Sequence, residues 1–225
     1  MKQMGETMVI RALVFDVGET LIDETRIWSR WADRLGVPRL TFMGVLGGMA
    51  ALDRGHQEAF QVIRPGLDLE AEIAAWRRDD PGGLRENFDA GDLYPDVRPA
   101  LAALREAGYQ VIVAGNQPPQ AYDALAAMDL PVDAIHTSAA WGVEKPEPGF
   151  FAKVAAVAGR APREILYVGD RLDNDVRPAR QAGMRTALLR RGPWGYLHAA
   201  SPGAAEADLV ADTLTDLPRL VSRLT

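Results

Sequence analysis

Apolar and polar positions divide the chain into two unlike parts. Residues 9–15 form a dense apolar run, broken only by Arg11 and ended by Asp16, Gly18 and Glu19. Such a run, short, rich in β-formers and bounded by turn chemistry, predicts a buried strand. Trp28, Trp31, Leu35, Phe42, Leu46, Met49 and Leu52 then recur at helical spacing. Ile63, Leu67, Leu69, Ile73 and Trp76 continue the stripe as far as the breaker DDPGG at 79–83.

From about Pro95 the pattern becomes regular. Val97, Leu101 and Leu104 share one helical face, with Gly108 as the stop. Residues 111–114 (VIVA), 134–137, 165–168, 186–189 and 209–211 read as short strands. Residues 150–158, 176–182 and 217–224 read as helices, and another helix begins near Pro118 and Pro119, where a missing N–H does no harm. Alternating short strands and helices predict an α/β fold, a Rossmann-like parallel sheet with right-handed crossovers and helices on both faces. The stretch before Tyr94 is too long for a simple connection, so it is expected to be an inserted helical subdomain. The expected division is a core of residues 1–24 and 95–225 with an insert of residues 25–94.

In open parallel sheets ligands sit beyond the carboxyl ends of the strands. Asp16, Gly18, Glu19 and Thr20 follow the first strand, and Gly115 and Asn116 follow VIVA. Lys145 lies in the loop after the third strand, and Gly169, Asp170, Asp173, Asn174 and Asp175 follow the fourth. An Asp after a strand is more often a turn residue or N-cap, and a lone Lys is usually solvated. Their convergence on one sheet edge predicts a site. The chemistry that fits is phosphoryl transfer to Asp16, forming an aspartyl-phosphate. Mg²⁺ held by Asp16 and Asp170 would cancel the repulsion between carboxylate and phosphate, with Asp175 or Asp173 completing the shell. Lys145 would pair with Asp16 and the phosphate oxygens. Asn116 would donate to the phosphate near a helix start.

Composition removes several alternatives. A net charge of −6 offers no basic footprint for nucleic acid. No cysteine is present, so disulfides and thiolate metal sites are excluded. No stretch resembles an export leader or a membrane span, which makes the cytoplasm the expected compartment.

The motifs VFDVGETL, VIVAGN, GVEKPEPGFF and YVGDRLDNDV resemble, in order, the four motifs of the haloacid dehalogenase (HAD) superfamily. The resemblance implies a Mg²⁺-dependent hydrolase with Asp16 as nucleophile, Lys145 beside it, and Asp170 and Asp175 at the metal. It further implies that the main chain at Gly18 is a metal ligand and that the helical insert is a C1-type cap over a small phosphorylated substrate. Two positions depart from the family pattern. Gly18 stands where phosphatases usually carry a second Asp as general acid and base. Gly115 stands where Ser or Thr usually contacts phosphate, so Gly115 and Asn116 are the expected phosphate-binding pair. Glu19, one residue along, is weighed as a substitute acid and base but read as a solvated loop acid, because adjacent residues normally point differently; Arg190 and Arg191 are read as a solvated face, and the three tryptophans of the insert as core. Trp194 and Tyr196 are read as part of a long loop. Two other functions fit the same residues: a non-catalytic HAD-fold binding protein and a 2-haloacid dehalogenase.

Overall fold

A computed structural model describes residues 9–83 and 88–224. The expectation that the chain starts without an export leader falls largely on residues 1–8, outside the described ones. The strands are β1 (Ala12–Phe15), β2 (Gln110–Gly115), β3 (Ala134–Thr137), β4 (Ile165–Gly169), β5 (Arg185–Leu189) and β6 (Leu209–Ala211). They form one sheet in the order β3-β2-β1-β4-β5-β6, and every pairing is parallel. All four residues of β1 are buried. Leu13 and Phe15 enter one apolar cluster, while Ala12 and Val14 enter another. Alternate side chains of a strand point to opposite faces. Two cores, one on each face, are therefore why β1 reads as an unbroken apolar run.

The helices are α1 (Thr25–Leu35), α2 (Arg39–Ala51), α3 (His56–Ile63), α4 (Leu69–Asp79), α5 (Val97–Glu106), α6 (Ala121–Ala127), α7 (Ser138–Trp141), α8 (Pro148–Ala158), α9 (Arg177–Gln181), α10 (Gly192–Ala200) and α11 (Leu217–Val221). Leu101 and Leu104 of α5 and Val221 of α11 join the cluster of Leu13, whereas Phe151 and Val154 of α8 join that of Val14. Gly108 takes φ 88° just past α5, the left-handed stop that favours glycine.

Helices α1–α4 all lie between β1 and β2 in the chain. Trp31 stands edge-on to Phe60 at 4.8 Å and to Trp76 at 4.7 Å between ring centroids, so the tryptophans are core. Leu52 departs from the expected stripe. It lies one residue beyond the last turn of α2 and is exposed. Residues 192–200 are also not a loop. Pro193 sits in the first turn of α10, where its missing N–H costs nothing, so proline and glycine here mark a helix start. Packing of α10 on α2, with the Trp194 indole N–H donating to the Arg54 carbonyl at 3.2 Å, ties the insert to the core. Among the described residues no helix is long and apolar enough to cross a membrane.

Candidate active site

The polar residues after β1, β4 and the β3–α8 connection meet at the carboxyl edge of the sheet. Asp16 follows β1 directly, and its N–H still donates to the Val168 carbonyl of β4 at 2.9 Å. Asp170 is the first residue after β4. Asp175 belongs to a single wide turn over Leu172–Val176. A Cβ at residue 169 would lie 2.3 Å from Cγ of Asp175, so Gly169 makes the room that lets this carboxylate reach the edge. One carboxylate oxygen each from Asp16, Asp170 and Asp175 lies within 4.8 Å of the other two, and all three residues are buried.

Lys145 is the counter-charge. Its Nζ is 2.7 Å from Asp16 Oδ1 and 2.6 Å from Asp175 Oδ1, and its side chain is wholly buried. The rings of Tyr167 and Phe150 lie 5.5 and 6.0 Å from that nitrogen. Burial works against the charged ammonium, but the carboxylates of Asp16 and Asp175 outweigh it and hold its pKa well above the usual value. Burial pushes the carboxyl of Asp170 well up, and the neighbouring charges of Asp175 and Asp16 add to it. Burial likewise raises Asp175 to about 6, opposed by Lys145. Three carboxylates thus crowd together with one ammonium, which touches two of them. An all-oxygen, over-negative donor set of this kind suits a hard divalent cation.

Four of the expected residues have defined surroundings in three dimensions. Both ends of the Asn116 amide are engaged by the Lys145 backbone: Nδ2 donates to the carbonyl at 2.9 Å, and the Lys145 N–H donates to Oδ1 at 2.7 Å. Asn116 therefore pins the lysine loop, which no local sequence pattern reveals. Gly115 makes space, since a Cβ there would lie 2.4 Å from Asp16 Oδ1. Asp173 turns away onto Arg171, accepting two N–H groups at 3.1 and 2.6 Å, which leaves Asp175 as the second acid of its motif. Arg191 is not solvated. It is buried, donates to the Thr20 carbonyl at 2.8 Å and to Asp96, and stacks 4.2 Å from the Tyr94 ring.

A second group of acids, Asp53 and Asp173 with His198, bridges insert and core. His198 Nδ1 accepts the Leu172 N–H at 3.0 Å, so the neutral ring carries its proton on Nε2. That nitrogen faces Asp53 at 3.5 Å as a donor, which argues against a metal there. A surface cleft of about 920 Å³, bordered by Arg11, Gln110 and Asp133, opens at the amino-terminal ends of the strands. The opposite edge, where the carboxylates meet, is where parallel sheets carry chemistry.

Glu19 overturns its expected reading. It is buried, and its φ of 50° lies in the left-handed region that disfavours L side chains. Its carboxylate accepts from the Tyr94 hydroxyl at 2.5 Å and from the Glu24 N–H at 3.1 Å. A Cβ at Gly192 would lie 2.5 Å from its Cγ, so Gly192 leaves the space it fills. Burial, helped by the Glu24 charge, pushes its carboxyl up to about 7. Below about pH 4.5 folded and unfolded chains both hold this proton. Between there and about 7 only the folded chain does, so stability falls across that window by up to about 3 kcal/mol. Glu19→Gln is therefore expected to match the parent at pH 4.5 and to melt several degrees higher at pH 8. Paired thermal scans in EDTA test this, and a constant difference across pH contradicts it.

Comparison with known proteins places the chain among hydrolases. The family model described as haloacid dehalogenase-like hydrolase matches residues 10–183. A glyceraldehyde 3-phosphate phosphatase of Methanopyrus kandleri is 39% identical over 104 residues, a match spanning 45% of each chain. A phosphoglycolate phosphatase of Vibrio vulnificus is 28% identical over 221 residues, covering 92% of this chain and 94% of that one. Among solved structures, the L-2-haloacid dehalogenase of Xanthobacter autotrophicus superposes with a TM-score of 0.69 at 24% identity. That superposition covers 96% of this chain and 100% of the dehalogenase. At such identity the likeness speaks for the fold alone.

Proposed function

The chain belongs to the haloacid dehalogenase-like hydrolases, and from that membership we propose that it hydrolyses a small phosphomonoester through an aspartyl-phosphate on Asp16. The observation that carries this reading is the buried trio Asp16, Asp170 and Asp175, with a single ammonium, Lys145, against two of them. A carbon–halogen bond can be displaced without a cation, and a site for that reaction has no need of three crowded carboxylates. The named relatives act on phosphate esters, which supports the same choice.

In this reading Asp16, Asp170, Asp175 and the main-chain carbonyl of Gly18 would hold Mg²⁺. When bound, the ion would neutralise the carboxylates facing a phosphate dianion and stabilise the charge that develops on transfer. Lys145 holds Asp16 in place and offers its ammonium to the phosphate oxygens. Asn116 keeps the lysine loop at the distance that contact needs. Asp16 then attacks phosphorus, and hydrolysis of the acyl phosphate returns the carboxylate. Residues 25–94 act as a cap that shapes the substrate pocket and excludes water. The absence of cysteine fits a reducing cytoplasm as the compartment.

The test is a panel of phosphomonoesters assayed with Mg²⁺ and with EDTA, alongside chloride release from 2-chloropropionate. Phosphate release that EDTA stops and Mg²⁺ restores is expected. Chloride release indifferent to EDTA would assign a dehalogenase, and no release from any substrate would leave a binding protein.

A further inference from the structure

The resemblance to the HAD superfamily implies an acid at position 18, which Gly18 cannot supply, yet the space beside it is filled. A Cβ built on Gly18 would lie 2.6 Å from Oε1 of Glu24, 3.0 Å from its Cδ and 3.5 Å from its Oε2. The first distance is close to the separation between a carboxylate oxygen and the Cβ of its own aspartate. A carboxylate from six residues further along the chain thus lies within the reach an Asp at 18 would have. Nothing local in VFDVGETL signals this, because the group arrives from the residue that opens α1.

Glu24 is fixed in that position. It is the N-cap of α1, and its N–H donates to Glu19 Oε1 at 3.1 Å. Its Oε2 accepts the indole N–H of Trp28, one turn along the same helix, at 3.0 Å. The oxygen nearer to Gly18 is the other one, Oε1. An Asp at 18 would push the Glu24 carboxylate out of this position, since the added Cβ alone already meets Oε1 inside van der Waals contact. Gly18 therefore makes room for the group that replaces it.

We propose that Glu24 is the general acid and base of this enzyme, its carboxylate taking the place of a residue-18 side chain. The proposal rests on the phosphatase reading above. As Asp16 bonds to phosphorus and the bond from phosphorus to the ester oxygen breaks, the departing oxygen takes the proton of the Glu24 carboxyl group and leaves as the alcohol. In the second half the Glu24 carboxylate takes a proton from water while the water oxygen bonds to phosphorus. Inorganic phosphate departs, Asp16 is free again, and Glu24 carries the proton for the next cycle.

The full chain with Mg²⁺ provides the test, using β-glycerophosphate as the poor leaving group and p-nitrophenyl phosphate as the good one. Glu24→Gln keeps an acceptor for Trp28. It is expected to lower turnover of β-glycerophosphate by about 10²–10⁴-fold. With p-nitrophenyl phosphate it should retain the rapid first release of nitrophenol, then stall with phosphate on Asp16, visible as a phosphoryl adduct by mass spectrometry. Gly18→Asp combined with Glu24→Ala should turn over β-glycerophosphate faster than Glu24→Ala alone. Unchanged β-glycerophosphate turnover in Glu24→Gln overturns the proposal, as does a nitrophenol burst slowed as much as alkyl turnover, which would mark a structural role. A parent protein that releases phosphate from neither ester removes the phosphatase reading and this proposal together.

Discussion

Asp16→Asn is expected to end turnover, with phosphate release falling by about 10⁴-fold or more, the scale seen when a nucleophile is removed. The amide has nearly the shape of the carboxylate and can still accept from Lys145, whose Nζ lies 2.7 Å from Asp16 Oδ1. What it cannot do is bond to phosphorus and leave again as a carboxylate. Stability is expected to move the opposite way. Without a cation the parent crowds three buried carboxylates around one ammonium, and burial with like-charge repulsion already pushes Asp170 and Asp175 upward. Removing one negative charge relieves that conflict. In EDTA the variant should melt above the parent, so catalytic loss with a raised melting temperature separates a missing nucleophile from a damaged fold. A variant that keeps parental turnover would end the assignment of Asp16.

Lys145→Met has the largest effect on stability. The parent ammonium is wholly buried and touches Asp16 and Asp175. Replacing it with an apolar chain of similar length leaves those carboxylates buried without their partner, a defect that costs about 3–5 kcal/mol. For a chain of this size that lowers the melting temperature by roughly 10 °C in EDTA. The deficit should shrink as pH falls toward 5. Burial already pushes Asp175 up to about 6 beside the lysine, and losing that partner raises it further, so mild acid should discharge the orphaned carboxylate. Mg²⁺ should recover part of the stability, because a divalent cation bound only by the folded chain adds its binding free energy. A Lys145→Met protein as stable as the parent at pH 8 in EDTA would mean that the lysine does not offset the buried charge.

The Glu19 variant probes a different buried carboxyl with the same logic. Among the described residues Glu19 is one of three non-glycine residues with positive φ. Backbone strain, burial and a raised pKa coincide at this one residue of the nucleophile motif. Tyr94 and Gly192, which hold and house it, come from remote parts of the chain.

The sequence by itself determined the parallel sheet and the set of residues at its carboxyl edge. A strand buried on both faces must be apolar throughout, so its end is marked wherever a polar group becomes tolerable. Asp16, Lys145, Asp170 and Asp175 stand just after such ends or in the loops that follow them. Gly108 marked a helix stop for an equally local reason, a backbone conformation that other residues resist. Tertiary structure alone decided which of these groups touch. Asp173 and Asp175 are two residues apart and carry the same side chain, yet one pairs with Arg171 and the other with Lys145. Asn116 spends its amide on a loop 29 residues away, Glu19 is buried by Tyr94 and Gly192, and Glu24 fills the gap at Gly18. A strand end follows from hydrophobic periodicity, which nearest neighbours encode. The direction and burial of a polar side chain follow from what packs against it, and those partners are assembled only when the chain folds.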